Sequence, residues 1–122
     1  MSSIKYKNNS LFVENTSVKR LVSKYKSPFY LYSNSNIIEN YKSFYNNFKK
    51  VTPLICFSVK ANSNVQILRI LKKMGSGADV VSGGELLKTL KSGIKPNKIV
   101  FSGVGKTEEE LRLAIKKKIL LI

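Results

Sequence analysis

Two textures of hydrophobic pattern alternate along this chain. Short apolar runs are separated by longer stretches in which apolar positions recur every three or four residues, the spacings of strands and amphipathic helices. The runs are PFYLY (28–32), LICFSV (54–59), ADVV (78–81), KIVF (98–101) and ILLI (119–122). Pro28 suits the first position of a strand. The first helical stretch carries Ile37, Ile38, Tyr41, Phe44, Tyr45 and Phe48 on one stripe, with Asn36 and Glu39 as its expected cap. The second carries Val65, Leu68, Leu71 and Met74, with a capping box from Ser63 to Gln66 and Gly75 and Gly77 at its end. The third holds Leu86, Leu87 and Leu90 between a Ser82–Glu85 box and Gly93, a natural left-handed terminator. The fourth starts from Thr107 and Glu110, opens on three glutamates and closes on three lysines, matching both ends of its dipole.

Strands about twenty residues apart with helices between them predict βαβ units and a parallel sheet. LICFSV is apolar almost throughout, as expected of a strand covered on both faces. Periodicity alone leaves an incomplete barrel and an open doubly wound sheet as alternatives.

At 122 residues the chain has room for one modest domain. Its formal net charge is +15, from 22 basic and 7 acidic residues. Such a balance raises nucleic acid as a partner. Nineteen of the basic residues are lysine, however, and asparagine and isoleucine are also abundant, a composition that an A/T-biased coding sequence produces. The lysines are dispersed, the longest run being Lys116–Lys118, so no basic stripe is present and nucleic acid is not the expected partner. Cys56 has no second cysteine and reads as a reduced, buried structural thiol. No metal site is expected. The opening MSSIKYKNNS lacks the apolar core of a signal peptide, and no run approaches the ~18 residues of a membrane span, so a cytoplasmic protein is expected.

Lys60 is the candidate with the most chemistry. It closes the strand LICFSV, and parallel α/β folds place their ligands at the carboxyl ends of strands. A lysine partly desolvated there offers a nucleophilic amine; the bland alternative is a snorkelling surface lysine. SGVGKT (102–107) reads like the end of a phosphate-binding loop, but Val100 stands where the full pattern needs glycine, and three glutamates follow. A tight strand-to-helix turn is the better reading, with Lys106 as a solvated loop residue. Ser82-Gly83-Gly84 offers a helix start that could cradle phosphate or simply cap the helix, and the cap is favoured. Asp79 is the only aspartate and sits in an apolar strand, where a carboxylate needs a partner. Asn62 either shapes the loop after Lys60 or caps the next helix.

Read in order, FSVKAN (57–62), GSGADVVSGGEL (75–86) and IVFSGVGKTEEEL (99–111) resemble the diaminopimelate decarboxylase family, and PFYLY fits that family's entry segment. These are alanine-racemase-like, pyridoxal-phosphate-dependent enzymes with a (β/α)8 barrel followed by a β-rich domain. The resemblance implies decarboxylation of meso-diaminopimelate to lysine in lysine biosynthesis, with Lys60 as the cofactor lysine and Asp79 as a cofactor-site residue close to it. It favours the barrel over the doubly wound sheet. A complete barrel needs about 250 residues, so the resemblance implies a truncated enzyme: residues 1–27 as an amino-terminal extension and 28–122 as the first three to four βα units. The family's ring-stacking histidine, glycine-rich phosphate loop and cysteine motif are not in this sequence. The chain by itself is therefore expected to be inactive, and a complementing carboxyl-terminal fragment or a homodimer is the implied partner beside a small amino-acid substrate. The alternative readings are a non-catalytic remnant or interaction module and, behind it, a P-loop-like or nucleic-acid-binding protein.

Overall fold

The structure, a computed structural model, describes residues 3–122. By their contacts they form two units that meet within one helix, the first ending at Asn40 and the second running Tyr41–Ile122.

In the first unit, β1 (Ile4–Lys7), β2 (Ser10–Val13) and β3 (Thr16–Ser17) make an antiparallel meander in chain order. Asn8 and Asn9 turn the first hairpin with φ of 48° and 57°. A two-residue hairpin of type I′ has both central residues left-handed, and asparagine tolerates that conformation better than most residues. Helix α1 (Val18–Lys24) packs on β2 and β3. The side chain of Glu14 then organises the start of α2 (Asn34–Phe48): it accepts from the Ser33 hydroxyl and the Ser35 N–H, both at 2.8 Å, and from the Ser35 hydroxyl at 3.0 Å. The Asn36 N–H goes to the Ser33 hydroxyl, so Ser33, and not the expected Asn36, caps this helix. Residues 28–32 pair with no neighbour and form no strand, contrary to the pattern reading. An apolar run becomes a strand only where another strand satisfies its backbone, and among the described residues none does.

The second unit contains a parallel sheet of β4 (Cys56–Ser58), β5 (Gly77–Val80), β6 (Ile99–Phe101) and β7 (Leu120–Leu121), connected by α3 (Val65–Lys73), α4 (Gly83–Ser92) and α5 (Glu108–Lys116). The strands lie strictly in chain order, without the reversal that defines a doubly wound sheet. Crossovers of one hand between strands in that order all fall on one side. The core agrees: Ala78, Val80, Ile99 and Phe101 meet Leu68, Leu86 and Ala114 from the helices. Alternate strand positions point the other way, and these are Cys56, Ser58, Asp79, Val100 and Leu120. That second face is polar along part of its length, and Leu120 is exposed, so the strands are not covered on both faces among the described residues.

Several helix ends differ from the pattern reading. Asn64, not Ser63, caps α3, accepting from the Gln66 N–H at 2.9 Å; the Ser63 hydroxyl accepts from Lys88 Nζ instead. Asparagine reaches the same N–H from one residue closer. At the other end Gly75 alone supplies the left-handed residue, with φ +89°, while the N–H groups of Gly75 and Ser76 return to the carbonyls of Lys72 and Leu71. Gly77 lies inside β5 and ends no helix. A Cβ there would stand 2.4 Å from the Lys98 carbonyl and 2.7 Å from Cys56 Sγ, so close strand packing explains the glycine. Leu87 points to solvent, whereas Leu86 is fully buried. Gly93 and the reciprocal Thr107–Glu110 box take the roles read for them, whereas Ser82 caps α4 without a full box, since the Glu85 carboxylate accepts from the Val81 N–H and not from that of Ser82.

Candidate active site

The carboxyl ends of β4, β5 and β6 bring the candidate residues to one end of the sheet. After Ser58 the chain makes a single 3-10 turn, Val59–Ala61, and Lys60 is its middle residue. Val59 anchors the turn in the core, so the next side chain is turned outward. Lys60 is exposed, and among the described residues it has no hydrogen-bond or ion-pair partner. The desolvated setting expected for it is therefore not built from these residues. The turn itself packs against β5 and α4. Asn62 ends this turn and its side chain accepts from the Asn64 N–H at 3.0 Å, which makes it a loop-shaping residue.

Asp79 is half-buried, opposite Ser58 in the β4–β5 register. Its Oδ2 accepts from the Ser58 hydroxyl at 3.2 Å and its Oδ1 from the Ser102 hydroxyl at 2.5 Å. The partner that a carboxylate in this strand requires is thus a pair of hydroxyls from the flanking strands. Lys60 and Asp79 come to the same end of neighbouring strands, but no ion pair joins them. Pattern reading missed Ser58 and Ser102. The available signal was that two otherwise apolar strands each carry one polar residue near the carboxyl end, and a third is followed directly by one.

The two glycine-rich loops have other occupations. The Gly83 N–H, at the start of α4, donates to Glu110 Oε1 at 2.5 Å, and the Thr107 N–H donates to Glu110 Oε2 at 2.9 Å. These N–H groups, with the Thr107 hydroxyl, hold the Glu110 carboxyl below the usual carboxylate range. A carboxylate thus already fills the helix start where a phosphate cradle was conceivable. The Val81 N–H is likewise taken, by the Glu85 carboxylate. In the following loop, Gly103 lies against the Val81 backbone so closely that a Cβ would stand 2.3 Å from its carbonyl oxygen. Lys106 is not merely solvated: its Nζ donates to the Ile122 carbonyl at 2.6 Å and lies 5.4 Å from the centre of the Phe101 ring. Cys56, on the same face of the sheet as Asp79, is half-buried and in no disulfide, its Sγ donating to the Lys98 carbonyl at 4.0 Å; burial first, and the Asp79 charge second, push its thiol above the ordinary value.

The family described as pyridoxal-dependent decarboxylase, pyridoxal binding domain, matches residues 34–122, most of the chain. The chain belongs to this family. Pyridoxal phosphate is the family's cofactor, and the ordered parallel sheet with helices on one side is part of a (β/α)8 barrel, three strand–helix units and the strand that follows. Among curated relatives, a diaminopimelate decarboxylase of Aquifex aeolicus is 42% identical over 118 residues, which are 97% of this chain and 28% of that protein. One from Helicobacter pylori is 49% identical over 104 residues, 85% of this chain and 26% of the relative. The crystal structure of the M. jannaschii diaminopimelate decarboxylase in complex with L-lysine superposes with a TM-score of 0.91 at 34% identity, covering 98% of this chain and 30% of that one. The chain therefore spans little more than a quarter of the length of the relatives it matches. The residues present are compatible with one end of the cofactor only: Lys60 is an exposed side chain with no protein partner among the described residues, while the candidate phosphate cradle is spent on Glu110.

Proposed function

We propose that this chain is the cofactor-anchoring portion of a diaminopimelate decarboxylase, with Lys60 as the residue that attaches pyridoxal phosphate and Asp79 as the second site residue. The observation that carries the proposal is the unpartnered amine of Lys60, held one turn beyond β4 at the carboxyl end of a parallel sheet. That is where barrel enzymes assemble their chemistry. The names of the relatives support the substrate, meso-diaminopimelate, with lysine and carbon dioxide as products. When bound, the cofactor supplies a ring that delocalises the electron pair left by the departing carbon dioxide.

This chain's own residues do three things in that scheme. Lys60 holds the aldehyde end of the cofactor. Val59, buried beneath the turn, fixes the point from which the lysine projects. Asp79, tied to Ser58 and Ser102, draws the ends of β4, β5 and β6 into one polar floor. The phosphate and ring need holders beyond these residues, and a complementing carboxyl-terminal segment is the proposed source of them; a homodimer is the further proposed partner. No helix among the described residues is long and apolar enough to cross a membrane, and a lone free thiol suits the cytoplasm, the setting we propose.

The test is site-specific capture. The full chain is incubated with limiting pyridoxal phosphate, reduced with borohydride and mapped by peptide mass spectrometry. Label concentrated on Lys60, and lost in Lys60→Ala, supports the proposal. Label distributed evenly over the nineteen lysines refutes it.

A further inference from the structure

Among the described residues, the parallel sheet is open on both sides: β4 and β7 each pair with one neighbour only. An open edge is a row of unsatisfied backbone groups that invites another strand. Exposed apolar side chains gather at the same two places. Phe48, Val51 and Leu54 lead into β4, and Ile115, Leu120 and Ile122 flank β7. A barrel of this class closes with eight parallel strands. This chain contributes four, in strict chain order. Two copies related by a twofold axis along the barrel bring four and four together, the β7 edge of each meeting the β4 edge of the other. Both edges are then matched at once, whereas pairing like edges leaves one edge open in each copy.

The register fits this closure. Ser58 stands opposite Asp79, Asp79 opposite Val100 and Val100 opposite Leu120. Over a full circuit of such a barrel the register slips by about eight residues, and so by about four across one copy. Leu120 then meets a residue of the second copy about four places from Ser58, either Leu54 or Asn62. Asn62 has already left the strand and ends the 3-10 turn, so Leu54 is the match. Leu54 and Leu120 are 48% and 60% exposed. Both lie on the face turned away from the helices: Leu120 by its register, and Leu54 because its Cδ1 is 3.4 Å from where a Gly77 Cβ would stand, beside Cys56 Sγ. Closure buries each leucine against the other inside the barrel.

We propose that two copies of this chain close into one barrel, four strands from each, with the β7–β4 seam formed twice. All strands point the same way, so Lys60 and the Ser58–Asp79–Ser102 row of both copies share one end. The polar second face of the sheet becomes an enclosed interior. This assembly deepens the homodimer proposed above by assigning its interface. It does not depend on Lys60 as the attachment point, so the capture experiment can fail while the assembly stands.

Sedimentation equilibrium of the full chain should give a dimer, and oxidative cross-linking should locate the seam. Cys56 is the only cysteine. The same register sets Ile122 of one copy beside Cys56 of the other. Within one copy these positions are three strand spacings apart, roughly 14 Å, beyond the ~7 Å reach of a disulfide. Ile122→Cys should therefore yield a covalent dimer on oxidation, with peptide mapping joining positions 56 and 122. The unmodified chain should yield none, because the two Cys56 residues stand on opposite sides of the barrel. Leu120→Lys places a charge in the seam and should weaken association about tenfold or more. Leu87→Lys changes a leucine that is equally exposed on α4, between the two central strands, and should leave association unchanged. A monomer, or an assembly larger than a dimer, overturns the proposal. So does a Cys56–Cys56 link in the unmodified chain, which reports pairing of two β4 edges, or a 122–122 link in the variant, which reports pairing of two β7 edges. Equal weakening by Leu120→Lys and Leu87→Lys overturns it as well.

Discussion

Gly103→Ala is the sharpest test of how the sheet's carboxyl end is built. A Cβ at this position would lie 2.3 Å from the Val81 carbonyl oxygen, 2.9 Å from its carbon and 3.0 Å from its Cα, well inside the 3.4 Å at which ordinary contact begins. All three are backbone atoms, and Val81 cannot swing aside because its N–H is bonded to the Glu85 carboxylate. The loops after β5 and β6 must therefore separate by roughly 1 Å, and overpacking of this kind costs about 1–3 kcal/mol. The separation also strains the bonds that cross the same gap, Ser102 N–H to the Val80 carbonyl at 3.0 Å and Ser102 Oγ to Asp79. Losing one of them adds about 1 kcal/mol. The expected destabilisation is about 2–4 kcal/mol, a large fraction of a small domain's stability of about 5–15 kcal/mol. Gly105→Ala is the matched control, because nothing lies within 4 Å of its Cβ position and its φ is not left-handed. That change should be neutral or stabilise by about 0.4–1 kcal/mol through the unfolded state. Urea unfolding followed by far-ultraviolet circular dichroism compares the two midpoints. Equal midpoints for the two alanine variants would refute the account of Gly103 as a site of close backbone approach.

Other outcomes follow from the same geometry. Cys56, whose thiol is pushed up by burial and then by Asp79, should react with iodoacetamide at pH 8 more slowly in the folded chain than in urea, and Asp79→Asn should speed the folded reaction. Glu110 has its folded value lowered by backbone N–H groups, so its contribution is fully present above the ordinary glutamate value of about 4.3 and is lost as pH falls through the lower folded value. Glu110→Gln should therefore flatten the acid limb of stability against pH, read as unfolding midpoints from pH 6 downward. Thr107→Ala removes a helix cap and should cost about 1 kcal/mol in the same unfolding assay. The chain by itself should release no carbon dioxide from diaminopimelate, and steady release abolished by Lys60→Ala would contradict that.

Sequence pattern reached far into the second unit because its signals there are local. A capping box such as Thr107–Glu110 or a left-handed terminator such as Gly93 lies within a few residues of the helix it bounds, so spacing alone reveals it. PFYLY failed for the complementary reason: an apolar run states that a segment wants burial, while a strand also needs a neighbour's backbone, which the run does not encode. The amino-terminal meander drew no strand reading because its strands are only two to four residues long and bury no face, so even the alternation of IKYK (4–7) stands out little from the polar residues around it. The Asn8–Asn9 pair was its one local signal, since a hairpin turn with two left-handed residues favours that type.

At the candidate site the division follows the same physics. The place of Lys60, one turn beyond a strand end, was legible from the apolar run before it. The hydroxyl partners of Asp79 were not, because they lie 21 and 23 residues away along the chain and meet it only through the parallel register. The polarity of the sheet's second face was hidden for a related reason. Strands that read as apolar throughout place Phe57, Ala78, Val80, Ile99 and Phe101 toward the helices and Cys56, Ser58 and Asp79 away from them. A fully buried strand and one facing a catalytic interior therefore differ by one or two polar residues. In a barrel that inward face is where strand ends meet ligand, so the rare polar residue in an apolar run is the informative one. Ser58, Asp79 and Ser102 are the three such residues at this end, and their hydrogen bonds link them into a single group.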